Sequence, residues 1–143
     1  KLGQGGQGSM YLVSVRGRQD ELRCVKVYQK ANANAPLDGI KEEFELMRRL
    51  DSPFVARTFE IFEDRTNVYM VNEPYFGGDL TKLVANASEA GLALTEDWFR
   101  GVLQQPVQGI VYMNQQHLMH CDLKEANVMV ANDSNWQQPH VML

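Results

Sequence analysis

His120-Cys121-Asp122-Leu123-Lys124-Glu125-Ala126-Asn127, followed by the apolar run Val128 to Val130, is the stretch on which the reading of this chain turns. It puts a carboxylate, a lysine two residues on and a carboxamide five residues on into one short loop between an apolar-periodic segment and a strand-like one. That set suits phosphoryl transfer, which needs positioning and charge neutralisation more than covalent help. Asp122 would orient an acceptor hydroxyl and take its proton, Lys124 would steady the transferring phosphate, and Asn127 would offer a neutral oxygen to Mg²⁺. The plain alternative is an Asx-rich turn between a helix and a strand. His120 reads as a packed, hydrogen-bonded structural residue rather than a base.

Far upstream, Gly3, Gly5 and Gly8 form G-x-G-x-x-G. Glycine lets backbone approach phosphate oxygens and reaches positive φ in a tight turn. By itself the spacing is weak, because a flexible turn would look the same. The residues after Gly8 decide more: a dinucleotide loop should open a helix, whereas Met10, Tyr11, Leu12 and Val13 continue as a strand, giving a strand-loop-strand flap.

Lys26 lies between these motifs. Leu22, Cys24 and Lys26 share one face of a strand, with Val25 and Val27 on the other. An edge-strand lysine reaching water would explain this, but the next segment offers a partner. Between Asp38 and Leu50, at about 100° per residue, Ile40, Phe44, Leu46, Met47 and Leu50 form one arc of a helix, and Glu43 falls inside it. A carboxylate there needs a cation, and Lys26 is the expected one, so the pair would aim the ammonium at the α- and β-phosphates of a nucleotide.

Around these motifs, Met10 to Val15, Leu22 to Tyr28, Val55 to Phe62 and Val68 to Val71 read as strands, with a hairpin turn at Asp64 to Asn67. After Gly77 and Gly78 the pattern becomes helical, from Asp79 to about Ala87 and from Glu96 to about Gln116. Val102, Leu103, Val107, Ile110 and Val111 would line one side of the second helix, and Pro106 would kink it. Covering that stripe would take helices from a larger domain.

Composition sets outer bounds. With 143 residues, 44% of them hydrophobic, the chain can bury a core. A net charge of −4 speaks against nucleic-acid binding, which draws on clustered Lys and Arg. No apolar run approaches the roughly 20 residues of a membrane span, and no signal-peptide pattern opens the sequence. Two cysteines, Cys24 and Cys121, make no disulfide framework. Together these read as a cytoplasmic or otherwise intracellular protein.

The motifs and their order resemble the protein kinase family over nearly the whole chain, serine/threonine-directed and similar to its calcium/calmodulin-dependent group. Gly3 to Met10, with Gly6, looks like the Gly-rich loop, Arg23-Cys24-Val25-Lys26 like V-A-I-K, Glu43 like the helix glutamate, and His120 to Asn127 like H-R-D-L-K-x-x-N. The resemblance implies an α+β, bilobal fold: residues 1–75 an antiparallel sheet with one helix and a hinge, residues 76–143 the start of a mainly helical lobe. It implies ATP and Mg²⁺ as cofactors, Asp122, Lys124, Lys26 and Glu43 as catalytic residues, and Asn127 as the metal ligand. Nucleotide would be bound by Gly3, Gly5, Gly6, Gly8, Met10, Cys24 and Lys26. Asn72 would be the gatekeeper, the Glu73 carbonyl and Tyr75 amide would hold adenine, and Asp79 would meet ribose or a basic substrate residue. Protein substrates, and a regulatory domain or subunit outside this segment, complete the implied picture. Cys121 stands where many kinases carry an arginine that pairs with a phosphorylated activation loop, so activity independent of such phosphorylation is implied. The family's next motif, D-F-G, would follow Leu143. Rival readings are a pseudokinase scaffold and, third, a small-molecule phosphotransferase.

Overall fold

The computed structural model describes residues 1–5, 8–32, 37–132 and 135–143. The chain divides into two units, Lys1–Leu50 with Arg57–Pro74, and Asp51–Ala56 with Tyr75–Leu143. It passes between them after Leu50, Ala56 and Pro74.

The first unit is a five-stranded antiparallel sheet, β1 Gly3–Gly5, β2 Gly8–Val15, β3 Arg18–Gln29, β4 Thr58–Glu63 and β5 Asn67–Asn72, in the order β1-β2-β3-β5-β4. Strand propensity and turn chemistry agree here. Asp64 closes the β4–β5 hairpin by accepting from the amides of Thr66 and Asn67, both at 2.7 Å. The strand expected from Val55 begins only at Thr58, because Asp51–Ala56 belong to the other unit.

A single helix, α1 Leu37–Met47, lies on this sheet. Ile40 and Phe44 bury against Tyr28, Val68 and Met70, with Ile61 at the margin. Lys41 of α1 bridges to Glu63 of β4 at 2.9 Å, and Lys30 reaches the same carboxylate at 2.8 Å. Hydrogen bonds from Lys30 and then Lys41 hold the Glu63 carboxyl down at about 2. Past Met47 the helix tightens, with the amides of Arg49 and Leu50 reaching back three residues.

In the second unit α2 Leu80–Glu89 buries Leu83 and Ala87, and α3 Glu96–Gln115 runs through Pro106. Thr95 caps α3 by accepting from the Trp98 amide. The face α3 buries is Trp98, Val102, Pro106, Gly109 and Met113. Of the stripe expected from the sequence, Leu103, Val107 and Val111 stand 47%, 54% and 51% exposed. Counting only large apolar residues picked the neighbouring face, since the true one contains a proline and a glycine that such counting passes over. β6 Met129–Val130 and β7 Val141–Met142 pair antiparallel, and Gln105 of α3 fixes β7 by accepting from the Val141 amide and donating to the Pro139 carbonyl.

Gly109 lies against the Phe54 backbone, and a Cβ there would come within 2.5 Å of the Phe54 carbonyl oxygen. Gly109→Ala is expected to lower stability by about 1–3 kcal/mol through overpacking, read as a fall in Tm.

Candidate functional site

Each unit gathers its own set of the residues singled out by sequence. In the first, β1 and β2 form a hairpin with Gly5 opposite Gly8 and Gly3 opposite Met10, the flap that the strand-like continuation called for. Gly8 has φ of +151°, and a Cβ would lie 2.2 Å from the Val27 carbonyl oxygen, so only glycine lets the flap lie this close to β3. Gly6 lies outside the described residues.

The register of β3 places the other members. Met10 and Met70 flank Lys26 on either side, and Leu12 and Asn72 flank Cys24. Cross-strand neighbours point to one face, so Met10, Cys24, Lys26, Met70 and Asn72 share a surface. Cys24 is buried, and burial pushes its thiol pKa up, which keeps it protonated and inert. Asn72 accepts from the Thr58 hydroxyl at 3.0 Å, so the expected gatekeeper side chain is oriented from behind by β4. Glu73 is exposed, and its amide donates to the Arg57 carbonyl at 3.0 Å. Tyr75, two residues on, is half-buried in the second unit.

Glu43 departs from expectation. It is exposed, and it takes part in none of the ion pairs among the described residues. The expected Lys26–Glu43 pair is therefore corrected: Leu46 and Leu50 widened the apolar arc until it enclosed Glu43, but Leu46 is 44% exposed and Leu50 lies past the helix end at Met47, so the buried arc of the helix centres on Ile40 and Phe44. The Tyr28 ring centroid is 4.8 Å from the Lys26 Nζ.

In the second unit the loop 120–127 is organised around Asp122. Lys124 Nζ donates to both carboxylate oxygens, at 3.0 and 2.8 Å. Asn127 Nδ2 donates to the Asp122 carbonyl at 2.7 Å and to its Oδ2 at 3.0 Å. The hydrogen bonds from Lys124 and then Asn127 hold the Asp122 carboxyl below the usual carboxylate range. A short 3₁₀ turn over Glu125–Asn127 brings the amide back, closed by the Asn127 amide on the Lys124 carbonyl at 2.9 Å. Backbone bonds then anchor the far end of the loop, from Leu80 to the Val128 carbonyl and from Val130 to the Gly78 carbonyl. Cys121 makes the turn into Asp122 with a φ of 59°.

Two details escaped sequence reasoning. Asp79 is the N-cap of α2, accepting from the Lys82 amide at 3.0 Å, and the signal was present as an Asp directly before a helical pattern. His120 is packed, but its Nδ1 is buried with no hydrogen-bond partner among the described residues, contrary to the expected hydrogen bond.

The donor set also tests the fit of a cation. Asn127 commits its nitrogen to Asp122, which leaves the neutral Oδ1 as its acceptor, an oxygen ligand of the kind Mg²⁺ takes. Among the described residues no group of three or more His, Cys, Asp or Glu is placed to hold a metal. Phosphate oxygens and water are other ligands that Mg²⁺ takes.

The protein kinase domain family matches residues 1–141. The chain is 30% identical over 130 residues to serine/threonine-protein kinase RAD53 of Saccharomyces cerevisiae, covering 90% of this chain and 15% of that protein. It is 32% identical over 137 residues to probable serine/threonine protein kinase IREH1 of Arabidopsis thaliana, covering 94% and 10%. With calcium/calmodulin-dependent protein kinase type 1 of Macrobrachium nipponense it shares 28% over 128 residues, covering 90% and 36%. The chain thus spans well under half the length of these relatives. The crystal structure of Rad53 1-466 in complex with AMP-PNP superposes with a TM-score of 0.80 at 29% identity, over 99% of this chain and 35% of that one. With the glycine hairpin, the strand lysine and the Asp-Lys-Asn loop in place, the chain belongs to the protein kinase domain family.

Proposed function

We propose that this chain supplies the nucleotide-binding and catalytic residues of a serine/threonine protein kinase, which moves the γ-phosphate of ATP to a hydroxyl on a protein substrate. The observation that carries the reading is the Asp122–Lys124–Asn127 hydrogen-bond set, in which the carboxylate is held ionised and aimed by two donors from its own loop. A Ser or Thr hydroxyl donates to Asp122, and its oxygen bonds to the γ-phosphorus as the bond to the β–γ bridging oxygen breaks. The hydroxyl proton passes to Asp122, and ADP leaves.

Lys124 has three N–H donors and spends two on Asp122, so the third can meet a phosphoryl oxygen. Asn127 would hold Mg²⁺ through Oδ1, and the ion supplies charge neutralisation on the β- and γ-phosphates when bound. Lys26 meets the α- and β-phosphates beneath the hairpin backbone of Gly3, Gly5 and Gly8. Met10, Cys24 and Asn72 line the base, the Glu73 carbonyl and Tyr75 amide bond it, and Asp79 meets the ribose. No described helix is long and apolar enough to cross a membrane. Protein substrates, an intracellular location and a regulatory domain or subunit beyond these residues complete the reading.

In an ATP-dependent peptide phosphorylation assay on the full-length protein, Lys26→Met and Asp122→Asn should each cut kcat by at least about a hundredfold while leaving Tm nearly unchanged; full turnover in either variant contradicts its role. The pH dependence has a defined sign. Because Asp122 titrates below the ordinary carboxylate range, kcat should persist as pH falls through that range and be lost only beneath it. Lys124→Met removes the larger cause, so the acid limb should move up toward the ordinary value, besides any loss in rate. A limb that stays put would assign the depression elsewhere.

A further inference from the structure

We infer that Gln105 of α3 is a positioning residue for the 120–127 loop, acting through β7 and β6 to hold Asn127 against Asp122. The inference rests on the reading of that loop as the catalytic one.

Asn127 is followed at once by Val128 and β6, so the place of β6 sets the far end of the loop. One edge of β6 is fixed by backbone: Gly77 donates to the Val130 carbonyl at 3.1 Å, and Val130 donates to the Gly78 carbonyl at 2.8 Å. The other edge depends on β7, with Met129 opposite Met142 and Val130 opposite Val141. Two residues on each strand give few ladder bonds, so β7 needs support along its outer edge as well. Val141 is 0% exposed, and its outward amide would be costly to leave unpaired.

Gln105 meets that amide as a neighbouring strand would. Its Oε1 accepts from the Val141 amide at 3.1 Å. Its Nε2 donates to the Pro139 carbonyl at 2.9 Å and to the Gly101 carbonyl, one turn back on α3, at 3.1 Å. A backbone N–H only donates and a carbonyl only accepts, so these partners fix which way the carboxamide points and engage both of its N–H groups. Seven residues earlier, on the same face of the helix, the Trp98 indole donates to the Trp136 carbonyl at 2.8 Å. α3 thus holds the segment 136–141 at two places, and the restraint passes through β7 and β6 to Asn127, whose nitrogen is bonded to Asp122.

The test uses the full-length protein with wild type, Gln105→Met, Gln105→Glu and, as a control, Gln108→Met, which alters an exposed glutamine of α3. Methionine keeps the length and bulk and removes all three hydrogen bonds. Glutamate keeps an acceptor for Val141 but, when ionised, offers no donor to the two carbonyls. For each variant kcat and KM for MgATP are measured across the neutral pH range, and the Asn127 side-chain amide is followed by nitrogen-edited NMR after assignment with Asn127→Ser. Gln105→Met should lose about tenfold in kcat, keep KM within about twofold and shift the Asn127 side-chain signals, whereas Gln108→Met should do none of these. Gln105→Glu should be impaired in the same way at the alkaline end and recover relative to wild type as pH falls, because burial favours the neutral carboxyl and protonation restores one donor. A role confined to stability would alter the signals of residues 139–142 and leave those of Asn127 in place. Unshifted Asn127 signals or an unchanged kcat in Gln105→Met overturns the inference, as does a Gln105→Glu profile that follows wild type throughout. Should Gln105→Met fail to fold, Gln105→Glu decides on the same readings. Failure of the underlying reading looks different: Asp122→Asn would then turn over fully although Gln105→Met still displaces the Asn127 signals.

Discussion

Strand β3 is hydrogen-bonded along both edges, and that pairing fixes more of this molecule than any other single feature. Its register against β2 and β5 puts Met10, Lys26 and Met70 in one row and Leu12, Cys24 and Asn72 in the next. A slip of one residue would turn all of them to the opposite face, so the burial of Tyr28 and Met70 under α1 also specifies where Lys26 lies. The core holds the chemistry in place, because the same alternation that buries Tyr28 keeps Cys24 and Lys26 on its side of the sheet. The close approach of Gly8 to the Val27 carbonyl is tied to the same strand.

The second unit solves its problem locally. Asp122, Lys124 and Asn127 are bonded within eight residues of sequence, and the ion pair is largely exposed, with side-chain exposures of 55% and 66%. An exposed pair of this kind contributes little to stability, because water and salt screen its attraction and two side chains lose freedom in forming it. Its consequence is geometric and electrostatic: two donors restrict where the carboxylate points and favour its charged form. Stability comes from elsewhere, from Leu83, Ala87, Val102, Val130 and Val141, each almost wholly inaccessible.

Much of this was legible in the sequence where chemistry and local geometry coincide. Asp122, Lys124 and Asn127 sit in one short loop, so their spacing nearly dictates their contact, and the Asp64 turn and the strand after Gly8 are equally local. The misreadings occur where a helix face had to be chosen. For α1 the choice depended on whether Leu46 was buried and whether the helix ran on to Leu50, and for α3 on whether Pro106 and Gly109 could belong to a core, none of which residue hydrophobicity decides. Burial against a sheet or a loop backbone selects the face, and Gly109 is favoured there because the Phe54 backbone passes too close for any side chain. The Lys26–Tyr28 contact was missed for a related reason. Charge pairing does not look for an aromatic ring, which the sheet places on the same face two residues away.

The depressed Asp122 carboxyl bears on what kind of catalyst it would be in the proposed reaction. A carboxylate made less basic by Lys124 and Asn127 is a poor proton acceptor from a neutral hydroxyl, so strong general-base action early in the reaction is disfavoured. In a loose transition state the acceptor oxygen gains positive character only as it bonds to phosphorus, and its proton becomes acidic late. A carboxylate held in its ionised form and oriented by two donors suits that order of events, since it would align the hydroxyl first and receive the proton once bonding has made it easy to give up. The lysine that lowers its basicity is therefore compatible with the proposed role, and in that reading the same ammonium would stay beside the phosphoryl group as charge redistributes.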